Sequence, residues 1–482
     1  MQEANKSFPE KLLPVAAILF SGLCWYVSYG LTGTYWYLFW IAPVPVMLLS
    51  FRGTARRAFL ISFLAYLAGR LSWFGYLVSV ATLVPAIVFT ILPALVFALL
   101  LLVVRRIVTR INHWWTIFTF PVLWTGFEWL LLQFSADGSA GSIAYSQADM
   151  LLLVQVASVT GILGISFVIT FIPSAIAVGW YHRSHGHTLK YISVISVAVI
   201  AAVFLFGAIR ISNNEAANTI KVGLVSLDER LHNITNNPDA QKEQLLAANY
   251  AGEITKLAKQ GSQIVVLPER AMNISRETDS VITNILSRTA KENHVVIITG
   301  YTNFKNNPER NSAMVIDADG RLITDYNKVH LVTGLESQFR PGSQPGLFRF
   351  NETALGVAIC KDLDFPAYIK SYGEQQAGCL FVPAWDFEKD DWLHARMAIL
   401  RSVESGFSQV RTARQGRLTI NDYCGRVNAE ASSAAGNAIT LTGTVSLQHR
   451  DTLYDRFGNW FGIINAVIAV FMIVGAIKTK KR

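Results

Sequence analysis

Gly356-Val-Ala-Ile-Cys-Lys-Asp-Leu-Asp-Phe-Pro366 reads as a small-residue apolar strand that runs into a turn of charged residues, with one cysteine, Cys360, at the junction. A thiol attacks only as thiolate, and a free cysteine is mostly protonated at neutral pH, so a nucleophile here needs a base and an anion-stabilising partner. Two upstream strand ends supply candidates. Ile264-Val-Val-Leu-Pro-Glu269 ends an apolar run on a carboxylate. Tyr326-Asn-Lys328-Val-His-Leu-Val-Thr-Gly-Leu-Glu336 offers a lysine with a second glutamate eight residues on. Each piece alone is weak: a cysteine after Val-Ala-Ile is more often a small buried hydrophobe, and a charged residue at a strand end is usually just solvated. The order Glu, Lys, Cys, each closing a strand, is what gives the set meaning.

Around this stretch the composition is divided. The chain has 482 residues, 52% hydrophobic and only 16% charged, which is too apolar for an ordinary soluble enzyme. The apolar excess falls in residues 12–209 and 457–477, while 215–455 carries most of the acids and has globular composition. A membrane domain therefore encloses a soluble one. The net charge of +9 is spread over short turns between apolar runs and the Lys478-Thr-Lys-Lys-Arg482 tail, a topology signal rather than a groove for nucleic acid. Lys11 precedes the first apolar run, but no small-residue cleavage site follows and Leu23 stands before Cys24, so the segment reads as a retained helix. Cys24, Cys360, Cys379 and Cys424 have neither metal spacing nor the look of a disulfide framework. A bond between Cys379 and Cys424 stays open. No Gly-rich phosphate loop is present, and no metal or cofactor is expected.

A helix needs about twenty mostly apolar residues to cross a bilayer. Seven candidates precede the soluble part, at roughly 12–30, 36–51, 57–79, 84–105, 114–133, 151–180 and 190–209, and an eighth follows at 457–477. The loops 52–57 and 105–110 carry three arginines each and 181–190 is basic, whereas the loops near Gly33, near Ser79 and over 135–149 have no Lys or Arg. The positive-inside rule puts both termini in the cytoplasm and the soluble part on the outer face. Pro43 and Pro45 interrupt the second span. Glu128 falls inside an apolar run, where a carboxylate costs about 2.5–3.5 kcal/mol; it faces the bundle or sits at the interface beside Trp124 and Trp129. Gly126, Gly161 and Gly164 read as close helix packing.

The soluble part alternates strands and helices: strand 220–227, helix 239–259, strand 263–268, helix 278–292, strand 294–301 and a hairpin 312–330 turning at Asp317-Ala-Asp-Gly320. Strand 354–360, helix 365–376, strand 379–384, helix 390–405 and a hairpin turning at Asp422-Tyr-Cys-Gly425 follow. Alternation with hairpins fits an α/β layered sandwich.

The Glu, Lys, Cys set resembles the triad of the nitrilase superfamily, and the whole chain resembles the apolipoprotein N-acyltransferase family. Similar stretches are Tyr145-Ser-Gln147, Gly161-Ile-Leu-Gly-Ile-Ser-Phe167, Pro268-Glu269, Lys328 with His330, Ala384-Trp385, His394-Ala-Arg-Met-Ala398, Arg401 with Glu404, and Tyr454-Asp-Arg-Phe-Gly-Asn-Trp460. The resemblance implies a multi-pass α-helical membrane bundle plus an α/β nitrilase-like αββα sandwich. Residues 1–212 would form the bundle of about seven helices, 217–455 an extracytoplasmic catalytic domain, and 457–477 a last membrane helix. It implies a bacterial inner-membrane enzyme whose cysteine takes an acyl chain from a phospholipid as a thioester and passes it to the N-terminal amine of a lipoprotein's diacylglyceryl-cysteine.

In those terms Cys360 is the nucleophile, Glu269 the base and Lys328 the oxyanion partner. Glu336 orients the lysine or the leaving group, and Lys361 supports the turn. A phospholipid tail leaves the bilayer at a cost of about 0.8 kcal/mol per CH₂, so the site should open to lipid. Phe339, Trp385, Phe387 and Trp392 are the aromatic candidates for that mouth.

The chain departs from the family pattern in places. Lys361 and Asp362 stand where an aromatic and a glutamate are usual, and Thr333-Gly-Leu-Glu336 where Pro-Phe-Gly-Glu is. Ser226-Leu-Asp-Glu-Arg-Leu-His232 replaces a Gln-Gly-Asn motif, and Arg414-Gln-Gly416 replaces Asn-Thr-Gly. Two rivals follow: a membrane-anchored carbon–nitrogen hydrolase in which water resolves the thioester, and a non-catalytic scaffold, against which the intact Glu269, Lys328 and Cys360 argue.

Overall fold

The structure, a computed structural model, describes residues 8–29, 31–212, 218–232 and 239–478. Residues 479–482 of the basic tail, used in the topology reading, and the Lys11 side chain, used in reading the first apolar run as a retained helix, lie outside the described residues. The chain divides into two compact units, one of Met1–Phe134, Ser142–Ile209 and Asn459–Arg482, the other of Ser135–Gly141 and Arg210–Gly458.

The first unit is helical. It contains α1 (Phe8–Ser28), α2 (Pro43–Arg52), α3 (Ala55–Ala81), α4 (Leu83–Val108), α5 (Thr119–Phe134), the single turns α6 (Leu151–Val154) and α7 (Ala157–Thr160), α8 (Ile162–Tyr181) and α9 (Gly186–Ser212), with one further helix after the second unit. Among the described residues six helices are long and apolar enough to cross a membrane: Ala55–Ala81, Leu83–Val108, Trp114–Phe134, Ile162–Tyr181, Gly186–Ser212 and Trp460–Lys478.

Two of the expected spans are corrected. That over 36–51 splits into a 3-10 turn, Trp36–Trp40, and the ten residues of α2, which at 1.5 Å per residue reach about half the hydrocarbon thickness. Pro43 starts a helix there because a first-turn residue needs no N–H partner. The span over 151–180 breaks at Gly161, whose φ of 65° suits glycine and ends α7 before α8 begins. Gly161 is thus a break between two helices, and it is buried. Gly126 is a packing contact: a Cβ there would lie 2.9 Å from Ala466 Cα in the last helix.

Burial in this unit is inverted relative to a soluble core. Phe471 is 72% exposed while Glu128, Gln147 and Gln155 are buried, the pattern of helices whose outer face meets lipid. Glu128 faces inward, accepting the Ile143 amide at 2.9 Å.

The second unit holds β1 (Thr219–Ser226), α10 (Ala240–Lys259), β2 (Ile264–Val266), β3 (Met272–Ile274), α11 (Asp279–Asn293), β4 (Val296–Asn303), β5 (Arg310–Ile316), β6 (Leu322–Asn327), β7 (Gly346–Phe350) and β8 (Thr353–Val357). It continues with α12 (Pro366–Glu374), β9 (Cys379–Trp385), α13 (Asp391–Ser405), β10 (Ser408–Arg414), β11 (Arg417–Asn421), β12 (Val427–Ser432), β13 (Ile439–Ser446) and α14 (Leu453–Phe457), after which α15 (Trp460–Lys478) returns to the first unit.

Two sheets form, in the orders β13-β1-β2-β4-β5-β6, with β3 beside β4, and β12-β11-β10-β9-β8-β7. Their central strands, β1, β2 and β4 in one and β8, β9 and β10 in the other, run parallel. Period-two alternation decides the layers. Val222, Leu224, Ile264 and Ile298 pack with Val357, Phe381 and Val410 between the sheets. Val225 and Val265 point the other way, against Leu246, Tyr250 and Ile254 of α10. Ala358, Leu380 and Val382 pack with Ile369 of α12 and Ala398 of α13. The result is an αββα sandwich, with each sheet covered on both faces, as parallel strands require.

Candidate active site

The first sheet contributes a closed polar cluster. Glu269 follows β2, and its amide donates to Ala384 O of β9 at 3.2 Å, tying one sheet to the other. Lys328 follows β6, and its amide donates to Asn311 O of β5 at 2.9 Å. Lys328 Nζ then lies 2.7 Å from Glu269 Oε1 and 2.9 Å from Glu336 Oε2. Asn311 Nδ2 donates to both carboxylates at 2.6 Å, and the Val332 amide donates to Glu336 Oε2 at 2.7 Å.

The lysine is only 1% exposed and both glutamates are buried. Charges this deep persist only when paired and hydrogen-bonded. Burial alone would lower the Lys328 pKa, but Glu269 and Glu336 outweigh it and hold the ammonium well above its ordinary value. Burial likewise pushes Glu336 up, and attraction to Lys328 with the Val332 hydrogen bond brings it below the usual carboxylate range. Both stay ionised at neutral pH.

The second sheet contributes Cys360. Its strand ends at Val357, earlier than the expected 360, and Cys360 opens a 3-10 turn, Cys360–Asp364. Its φ is 41°, in the left-handed region a non-glycine residue avoids at a cost of about 1–3 kcal/mol. Asp362 over-determines that turn. Its carboxylate accepts from the Ile359 amide at 3.0 Å, the Val329 and His330 amides at 3.1 and 2.8 Å, and the Tyr326 hydroxyl at 2.6 Å. It therefore clamps the cysteine turn to the strand end that carries Lys328.

Cys360 Sγ donates to Trp385 O at 3.5 Å. Burial, then Glu269, push its thiol well above the ordinary value, with Lys328 opposing. Burial thus favours the protonated thiol.

Lys361, expected to support the site, spends its charge elsewhere, on Asp137 at 2.7 Å and Asp364 at 3.6 Å. Asp137 belongs to Ser135–Gly141, the segment that follows α5 but packs as part of the second unit. The Ser139 amide and hydroxyl both donate to Asp364 O at 2.7 Å. Gly138, with φ 54°, passes so close that a Cβ would sit 2.3 Å from that same oxygen.

The aromatic candidates separate. Phe387 is 39% exposed and Trp385 half-buried, whereas Phe339 and Trp392 are each only 5% exposed. Of the four candidates for a lipid-facing mouth, these last two are packed inside the second unit. Arginines take their faces, Arg270 lying 5.2 Å from the Phe339 ring and Arg396 5.8 Å from that of Trp392. Cys379 and Cys424 are free thiols, both buried.

Residues missed in the sequence are Asn311, which had no signal, and the pair of Arg411 with Asp386, joined through two hydrogen bonds of 3.0 and 2.5 Å just beyond Trp385. Among the described residues no three His, Cys, Asp or Glu side chains gather as metal ligands.

Comparison with known proteins agrees over both units. Residues 21–177 match the apolipoprotein N-acyltransferase N-terminal domain and residues 223–428 the carbon-nitrogen hydrolase domain. Apolipoprotein N-acyltransferase of Geobacter metallireducens is 26% identical over 487 aligned positions, covering 92% of this chain and 91% of that protein. Apolipoprotein N-acyltransferase of Rickettsia prowazekii is 23% identical, covering 73% of this chain and 75% of that one. Among solved structures, an amidase from Nesterenkonia sp. has 17% identity and a TM-score of 0.43, covering 50% of this chain and 95% of its own.

Proposed function

Because the chain belongs to the apolipoprotein N-acyltransferase family of the nitrilase superfamily, we propose that it transfers a fatty acyl chain from a membrane phospholipid to the N-terminal amine of a lipoprotein, through a thioester on Cys360. Cys360 Sγ attacks an ester carbonyl as its proton passes to Glu269, and the oxyanion forms against Lys328. The carbonyl–oxygen bond breaks, Glu269 returns the proton to the departing lysophospholipid hydroxyl, and the acyl chain stays on sulfur. In the second half the lipoprotein amine attacks the thioester and gives a proton to Glu269. The carbon–sulfur bond then breaks and the proton goes back to the thiolate. Two easier steps replace one difficult transfer.

The observation that carries this reading is the buried cluster of Glu269, Lys328 and Glu336, which acts electrostatically on a cysteine held at a positive φ. Glu336 orients Lys328 through its 2.9 Å contact. The arginine-rich loops support an orientation with the second unit on the outer face of a bacterial inner membrane, and on this reading a reporter active only outside the cytoplasm is expected to be on after residue 455 and off after Arg482. The reverse pattern overturns the orientation.

Mass spectrometry tests the chemistry. Purified protein given phospholipid should gain one acyl mass on Cys360, and a diacylglyceryl lipopeptide with a free amine should discharge it. No adduct overturns the thioester. Discharge as fast in water alone overturns transfer and leaves amidase-type hydrolysis.

A further inference from the structure

The cations around Cys360 are almost all neutralised. Lys328 is paired with Glu269 and Glu336, Lys361 with Asp137, Arg411 with Asp386 and Arg414 with Glu229. Arg270, the residue after Glu269, is the exception: among the described residues it is within ion-pair distance of no carboxylate, although Glu269, Glu336 and Glu309 all act on it at longer range. Its Nε donates to Thr302 Oγ1 at 3.0 Å, which leaves the terminal nitrogens of the guanidinium uncommitted, and the side chain is only partly exposed.

The arginine is nevertheless held in place. Arg414 Nη1 donates to its carbonyl at 3.0 Å, and its guanidinium carbon lies 5.2 Å from the Phe339 ring and 5.4 Å from the Trp385 ring. Trp385 is also the residue whose carbonyl accepts from Cys360 Sγ. A rigid, partly desolvated guanidinium without an anion is costly unless a ligand supplies one. Its planar fork suits a phosphate oxyanion, and aromatic faces on two sides limit the entropy lost on binding.

We infer that Arg270 is the phosphate-recognition residue of this site: it takes the monoanionic phosphodiester of the acyl donor while Cys360 attacks an ester a glycerol backbone away. The inference rests on the phospholipid-donor reading above. It separates the two half-reactions, because the donor carries a phosphate and the lipoprotein amine does not. Arg270 should therefore govern loading of Cys360 and leave its discharge alone.

The test compares two donors with identical acyl chains, dioleoyl phosphatidylethanolamine and uncharged dioleoylglycerol, by the rate of acyl-Cys360 formation on the full chain in detergent. Arg270→Met is expected to lower kcat/KM for the phospholipid by about ten- to a hundred-fold, the range for losing a charge-assisted hydrogen bond. It should leave the dioleoylglycerol rate, and discharge to lipopeptide, within about threefold of the parent protein. Arg270→Lys, which keeps the charge, should recover part of the phospholipid rate; no recovery, or an equal loss on both donors, overturns the inference and marks Arg270 as structural. Inorganic phosphate equimolar with the donor should not slow loading, and competition by it would assign the site to free phosphate instead. Failure of the parent protein to form any adduct from phospholipid overturns the donor reading itself, an outcome distinct from an adduct that forms without regard to Arg270.

Discussion

The two sheets bring opposite kinds of chemistry to the site. On the first, Lys328 joins Glu269 and Glu336, and Asn311 Nδ2 donates to both carboxylates, through hydrogen bonds of 2.6–2.9 Å among buried side chains. On the second, Cys360 has a left-handed backbone, one long hydrogen bond to a carbonyl and a thiol that burial keeps protonated. One side is settled before substrate arrives, and the other holds its strain until it does. Under the proposed mechanism the difference teaches where reactivity is kept: Lys328, as the proposed oxyanion partner, is pre-organised at no cost during reaction, and the thiol is released only when a substrate gives its proton and charge somewhere to go.

The largest effect should come from the strained side. Cys360→Ala is expected to abolish acyl adduct formation while thermal unfolding stays close to that of the parent protein, since the change removes little packing and keeps the clamp made by Asp362. Retained activity would break the comparison outright, because the nucleophile would then lie elsewhere.

Next comes the settled side. Lys328→Met leaves Glu269 and Glu336 buried against each other without a cation. Single-turnover acylation should fall by about 10²–10³-fold, and denaturant unfolding should lose about 3–5 kcal/mol. A rate loss with no stability loss would show that the cluster is not the closed ionic unit its geometry describes.

The smallest effects are in pH dependence, and they should fall on opposite limbs. Glu336 has a lowered pKa in the folded protein through Lys328, so its contribution is present above the ordinary glutamate value and lost as pH falls through the lowered one. His394 on α13, behind the second sheet, contacts Asp390 at 2.8 Å. Burial lowers its pKa, but Asp390 outweighs it and raises it to about 9. Its contribution is present below the unfolded value and lost as pH rises towards 9. With 18% of the histidine side chain exposed, that loss should be about 1 kcal/mol. Glu336→Gln should flatten the acid limb of a stability profile and His394→Gln the alkaline limb. The same limb responding to both would erase the distinction between the two sides.

What was legible in the sequence were the places where a strand stops on a reactive side chain, as at Glu269, Lys328 and Cys360. The alternation of Val222, Leu224 and Ile264 with outward-facing neighbours made the strands readable as well. Strand β10 was not readable: every residue from Ser408 to Arg414 is buried, yet Gln409, Arg411 and Arg414 look like a surface. The partners of Arg411 and Arg414, Asp386 and Glu229, stand 25 and 185 residues away, so no local pattern announces them. Strands β3 and β7 are short, and β13 earns its place only by pairing along β1 from Thr219↔Ser446 to Ser226↔Ile439. In the helical unit hydropathy located the apolar runs but could not register the φ of Gly161, which divides one of them. Phe339 looked free to meet lipid because Arg270, the arginine beside its ring, stands about seventy residues earlier in the chain, whereas Arg396 covers Trp392 from one turn further along the same helix.

Helix α15 sets a schedule for assembly. Trp460 Nε1 donates to Val159 O, 301 residues earlier in the chain, and Gly126 of α5 keeps its surface open for Ala466. At roughly 5–20 residues per second, a ribosome needs about 15–60 s between making those helices and making the one that covers them. Arg210–Gly458, which carries every strand of the second unit, is synthesised in that interval. The helical unit therefore waits, incomplete, for a final segment that can be delivered only once every strand of both sheets has been made, and a transcript cut short inside the second unit yields helices that never acquire their last neighbour.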